Sequence, residues 1–116
     1  MKKLILVLLL MGLFICPAFA ESRQGSTITG YSASTLIKRG DWKVYRISYV
    51  ATSNGGSFSV YDALAGTTTA NSNVKAEGSE ATSLNSKVLD YSNKPLEGST
   101  GLYLVVNSAN VVVEYE

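Results

Sequence analysis

The side chains able to carry out chemistry are few, and the missing ones constrain function most. The chain has no histidine and a single cysteine, Cys16. A serine–histidine or cysteine–histidine nucleophile cannot be assembled from it, nor can a zinc site built on those ligands. What remains is oxygen chemistry: a carboxylate pair of the kind that cleaves glycosidic bonds, or oxygen-ligated calcium. Asp62, Glu77, Glu80 and Asp90 are the candidate carboxylates, each near a predicted strand end or loop. Their spacing matches no calcium-loop pattern, and a catalytic pair needs a cleft that so small a chain can hardly build. They read as ordinary surface acids. The expectation is a protein that is not an enzyme and has no catalytic, metal or cofactor site.

Recognition is the better prospect. Arg39-Gly40-Asp41 matches the tripeptide that integrins read in adhesive ligands, and it falls in a predicted strand-to-strand turn beside Trp42. Glycine and aspartate are also what any turn uses, and the turn reading is preferred. Tyrosine is abundant, with seven in the chain. An exposed tyrosine on a flat sheet offers an apolar body with a polar tip, suited to a sugar or a protein partner. It is equally a favoured strand residue that fills half-buried cross-strand positions. The candidate partner-binding residues are Arg39, Asp41, Trp42, Tyr61, Tyr103 and Tyr115, with Tyr61 and Tyr103 expected on an exposed patch.

The elements that position these residues lie beyond a leader. Lys2 and Lys3 precede the apolar stretch Leu4 to Cys16, followed by Ala18-Phe19-Ala20, the three-part layout of a secretory signal peptide. The apolar run is short for a membrane span. Residue 15, before Cys16, is Ile, where lipidation signals carry a small residue. Cleavage after Ala20 is expected, giving residues 1–20 as leader and 21–116 as one exported domain without a thiol. A small exported domain usually relies on disulfides, and this one has none to use. Without Lys2 and Lys3 the basic residues fall from ten to eight against nine acidic ones. No charge block appears, so neither nucleic acid nor an anionic membrane is an expected partner.

Past the leader, short runs rich in Val, Ile, Thr, Tyr and Ser alternate with Gly, Asn, Asp and Pro. Strands are predicted at Ser26–Tyr31, Thr35–Lys38, Trp42–Ala51, Ser57–Asp62, Asn73–Glu77, Lys87–Tyr91, Leu102–Val106 and Val111–Tyr115. Such spacing predicts an all-β fold, a single antiparallel β-sandwich (jelly-roll or immunoglobulin-like) of seven or eight short strands. In "WKVYRISYVA" strict alternation puts Tyr45, Ile47, Tyr49 and Ala51 on one face and Trp42, Val44, Arg46, Ser48 and Val50 on the other. Both faces hold apolar residues, which predicts a central strand. Asn54-Gly55 predicts a tight hairpin between this strand and "SFSVYDA". "GLYLVVNSANVVVEYE" predicts a second, terminal hairpin whose last strand is an exposed face or a managed edge. The polar segment from Gly66 to Ser86 predicts a long surface excursion or weak edge strands.

From "NGGSFSVYDALAGTT" through "GSTGLYLVVNSANVVVEY", the chain resembles small β-sandwich modules of tailed-phage virion proteins. Both run from a glycine turn through a strand ending in Tyr-Asp and a threonine-rich loop to a glycine-led final strand pair ending in tyrosine. The resemblance implies a sandwich fold and a structural or surface-display role. The leader sets the chain apart, because virion subunits assemble inside the cell. The alternating final strand, with Tyr115 next to last, also resembles donor-strand pilin-type subunits, from which the missing disulfide sets it apart. By that likeness "ESRQGSTITGYSAST" would be an arm added to a neighbour's sheet; the other reading is an ordinary first strand. The expected function is an exported, non-catalytic structural subunit of a cell-surface or extracellular assembly. It would associate with itself or another surface protein through sheet edges or a tyrosine-bearing face. The alternative is a monomeric secreted binding module for glycans or a protein partner, located in the periplasm, at the cell surface or outside the cell.

Overall fold

The computed structural model describes residues 25–66 and 73–116. The expected leader, and residues 67–72 of the polar segment, lie outside the described residues. The described chain forms β1 (Thr27–Tyr31), β2 (Thr35–Arg39), β3 (Trp42–Ala51), β4 (Gly56–Asp62), β5 (Val74–Glu80), β6 (Ser86–Asp90), β7 (Leu96–Gly98), β8 (Gly101–Asn107) and β9 (Ala109–Tyr115). Eight of these coincide with predicted strands to within a few residues. The three-residue β7 is new.

Two antiparallel sheets pack face to face. One runs β1-β9-β3-β6, with β7 also pairing β3; the other runs β2-β8-β4-β5. This is a β-sandwich, and its strand order is that of a jelly roll rather than an immunoglobulin-like domain: almost every connection changes sheets. Val44, Ile47, Phe58, Val60, Leu102, Leu104, Val111 and Val113 fill the space between the sheets and are essentially inaccessible to solvent. A full side chain of this kind is stabilised by about 1.5–3 kcal/mol on burial, so this layer carries the fold without a disulfide.

Both predicted hairpins prove to be arches between the sheets. β3 and β4 are linked by a tight turn in which Gly55 has φ +81°, yet β3 pairs β6, β7 and β9 while β4 pairs β5 and β8. β8 and β9 are joined through Ser108, at φ +51°, and likewise lie in opposite sheets. The cause is burial. In one sheet, two successive amphipathic strands would turn both apolar faces the same way and still need a second layer. In opposite sheets they bury each other. The Tyr49 and Phe58 rings, from β3 and β4, meet with centroids 4.8 Å apart and planes 57° from parallel, a favourable tilted geometry. β9 is consequently no edge; it lies between β1 and β3. The first strand is an ordinary one, paired in register with β9 from Thr27↔Tyr115 to Tyr31↔Val111.

Strict alternation along β3 fails at one residue. Val44 pairs Tyr115 and Arg46 pairs Glu114, so Tyr45 is an extra residue in β3. Such a bulge resets the phase of the pleat. Trp42 and Val44 therefore face the core together with Ile47, Tyr49 and Ala51. Tyr45 is buried outside that core cluster, and its hydroxyl donates to the Glu116 carboxylate.

At the arch end of the sandwich the backbone packs too closely for a side chain. A β-carbon on Gly56 would lie 2.3 Å from the Ser108 carbonyl oxygen and 2.7 Å from the Ala51 β-carbon, whereas one on Gly30 meets nothing nearer than 3.9 Å. Gly56→Ala is expected to lower stability by about 1–3 kcal/mol, the usual cost of overpacking. Gly30→Ala is expected to change it by less than about 0.5 kcal/mol, as at an ordinary surface position. Urea denaturation of the two variants beside the parent chain checks both.

Candidate functional site

The Asp62 carboxylate, where β4 ends, accepts four hydrogen bonds. Its Oδ1 accepts from the Thr100 amide at 2.9 Å, the Gly101 amide at 3.1 Å and the Trp42 indole Nε1 at 3.1 Å. Oδ2 accepts from the Ser99 amide at 3.3 Å. One side chain thus ties the start of β3, in one sheet, to the end of β4 and the entry to β8, in the other. Burial by itself would raise the Asp62 pKa. The four donors outweigh it, those of Thr100 and Gly101 first, and hold the carboxyl below its ordinary value of 3.8. A general acid needs the opposite shift. Asp62 is built to fasten strands.

The loop that supplies these amides carries a weak sequence signal: two glycines, Gly98 and Gly101, around Ser99-Thr100. Both are sterically required. A β-carbon on Gly98 would fall 2.3 Å from the Trp42 indole, and one on Gly101 2.7 Å from the Ala63 carbonyl oxygen. Gly98 stands opposite Trp42 in the β7–β3 ladder, and the indole lies across its backbone. Trp42 is 3% exposed, its ring packed against the protein's own backbone at Gly98. Around this point opens a shallow cleft of about 580 Å³, lined among others by Asp41, Lys43, Lys75, Glu97 and Glu116. Its charges are mixed in sign. Lys43 pairs with Glu97 there at 3.9 Å, both side chains solvent-exposed, and such pairs contribute little.

The remaining sequence candidates are spread over the surface. Arg39 and Asp41 are exposed on either side of Gly40, which has φ +80° and donates its amide to the Thr100 carbonyl. The tripeptide thus makes the turn between β2 and β3, as its turn reading expects, with both charged groups in solvent. Tyr61 and Tyr103 are direct cross-strand partners. They alternate with the buried Val60, Leu102 and Leu104 and so stand, half-buried, on the outer face of the second sheet. Leu36 pairs Tyr103 on one side and Val74 pairs Tyr61 on the other, completing a row across four strands. Tyr115 is separate from this row. It packs against the core and hydrogen bonds with Tyr31, whose pKa burial and that bond together push up to about 12.

The other candidate acids do not converge. Glu80 accepts from the Tyr49 hydroxyl at 3.2 Å, burial and that contact raising the phenol's pKa. Asp90 accepts from the Ser92 amide at 2.8 Å, and Glu77 is exposed on β5. Among the described residues no group of three or more His, Cys, Asp or Glu could hold a metal ion. Comparison with protein-family models and with curated proteins finds no match to this chain.

The Asp62 geometry fixes a pH response. A carboxyl whose pKa is lower in the folded than in the unfolded chain contributes stability above the unfolded value and loses it as pH falls through the folded one. Asp62→Asn is expected to cost about 2 kcal/mol at neutral pH, the scale of hydrogen bonds to a charged group. The parent chain should also lose more stability than the variant as pH drops below about 3.8. Thermal melts of both chains between pH 7 and pH 2 check the size and the sign.

Proposed function

We propose that residues 21–116 form a non-catalytic structural subunit of an exported cell-surface or extracellular assembly, joined through sheet edges. The observation that carries this reading is the unequal protection of the edges. β2 ends in Lys38-Arg39 and is bulged; β5 bears Lys75, Glu77 and Glu80; β6 bears Lys87 and Asp90; β7 follows Pro95 and bears Glu97. β1, the remaining edge, has none of these devices. Natural sheets blunt their edges with charge, proline or bulges to avoid pairing with other chains. An edge left bare is a pairing site. The jelly roll is also an architecture of capsid and lectin domains, which agrees with assembly or display but does not by itself assign a function.

A second reading has its own observation. The row Leu36–Tyr103–Tyr61–Val74 is a shallow aromatic strip on an outer face, suited to a glycan ring or a flat protein surface. On this reading the chain is a monomeric binding module.

Light scattering of residues 21–116 over a concentration series separates the two. A mass that rises with concentration is expected. A constant monomer mass would overturn the subunit reading in favour of the binding module. Tyr61→Ala and Tyr103→Ala would then be expected to weaken binding to whichever glycan an array identifies.

A further inference from the structure

The geometry points to a specific partner for the bare edge: a second copy of this chain, joined β1 to β1 in antiparallel fashion about a two-fold axis at Thr29. This inference rests on the reading of the chain as a self-associating subunit, and it names the surface and register. Three observations carry it.

The first is the edge itself. β1 reads Thr-Ile-Thr-Gly-Tyr, without charge or proline, and its five residues pair with β9 in unbroken register. Among the described residues nothing pairs with its other side. In an antiparallel ladder, alternate residues turn their N–H and C=O groups away from the neighbour. β1 therefore presents a row of backbone donors and acceptors that a second strand can satisfy.

The second is the sequence of the edge folded onto itself. A two-fold axis at Thr29 sets Thr27 opposite Tyr31, Thr29 opposite Thr29, and Ile28 opposite Gly30. Ile28 pairs Glu114 and Gly30 pairs Val112, so both lie on the outer face of the sheet. Ile28 is 53% exposed, and the position above Gly30 is open to 3.9 Å. In the pair, Ile28 of each copy enters the space that Gly30 of the other leaves beside Val112, which is itself 40% exposed. A half-exposed isoleucine thus meets a residue with no side chain, twice over. Self-complementarity of this kind is what an isologous two-fold interface requires.

The third is continuity. Ile28 and Val112 border the same small apolar groove, of about 150 Å³, with Arg46, Ser48 and Glu114. Joining two copies through β1 extends this face across the seam as a single ten-stranded sheet, its central path running β6-β3-β9-β1, then β1-β9-β3-β6, with β7 beside β3 in each copy. Five residues a side fall short of the roughly 800 Å² per partner of a standard interface. The association is therefore weak on its own, and additive in an assembly where subunits are held close.

Residues 21–116 contain no cysteine, so Thr29→Cys introduces a unique thiol at the axis. Directly opposite residues in an antiparallel ladder have Cα atoms about 4.5–5.5 Å apart, within the range a disulfide spans. Oxidation of Thr29→Cys is expected to give a covalent dimer, while Lys75→Cys, on edge strand β5, gives none. Ile28→Lys alters a side chain half in water in the monomer, yet places like charges at the seam. It should weaken self-association at least tenfold by light scattering, with the circular dichroism of the parent chain. If the protein self-associates but Thr29→Cys does not crosslink above the Lys75→Cys control, the β1 seam is overturned and the subunit reading survives. If it stays monomeric at every concentration, both fail. If Ile28→Lys does not fold, the crosslinking pair still decides.

Discussion

One carboxylate holds the two sheets in register at their open end. Asp62 accepts from an indole on β3 and from three successive amides leading into β8. A sandwich closed by apolar contact alone has little to fix how far one sheet slides over the other, because apolar attraction is non-directional. Hydrogen bonds to a charged acceptor are directional and strong. Placing them at the end of β4 fixes the layers in a chain whose single cysteine allows no internal disulfide. Gly98 and Gly101 follow from this arrangement: without them the indole and the amides could not reach the carboxylate.

The opposite end is held by backbone. The Thr52 amide donates to the Ser108 carbonyl at 2.8 Å, the Leu84 amide to the Ala51 carbonyl at 2.8 Å, and the Gly55 amide to the Glu80 carbonyl at 2.9 Å. Three connections thus stack on one another, and Gly56 is the residue that lets two of them touch. Leu84, at φ +68° and 79% exposed, is the unusual member. A bulky residue is rarely found in the left-handed region, and here its amide bond to Ala51 holds it there. With one end fixed by a side chain and the other by arches, the middle of each sheet is free to be almost wholly apolar inside.

That division of labour leaves the outer faces and the edges as the places where function is expressed. The outer face of one sheet carries a tyrosine row, and that of the other an apolar groove running to an unprotected edge. An exposed Ile28 and an uncharged edge strand beside a glycine are liabilities in a monomer and assets in an assembly. On the proposed reading, the charged and bulged strands elsewhere would confine pairing to β1.

The sequence alone determined the fold class, eight strand positions and the inward residues of most of them, because alternation of apolar side chains is a local property that the pleat enforces residue by residue. Tyr61 and Tyr103 were also assigned to an outer face by phase alone. Phase failed in β3, where Tyr45 is an extra residue: a bulge is defined by a mismatch with a partner strand, and the facing residues of β9, Glu114 and Tyr115, lie far along the chain. Trp42 read as a candidate for recognition from its place beside the Arg39-Gly40-Asp41 turn, while tertiary structure buried it against Gly98 of the neighbouring β7. The two hairpins read from Asn54-Gly55 and from the Asn107–Asn110 segment became arches for a related reason. A tight turn specifies reversal, and only the need of both apolar faces for a second layer decides whether the strands pair side by side or pack face to face. Asp62 was legible as a strand-end acid and nothing more. Its role depends on three amides almost forty residues downstream, brought to it by a topology that no local pattern contains.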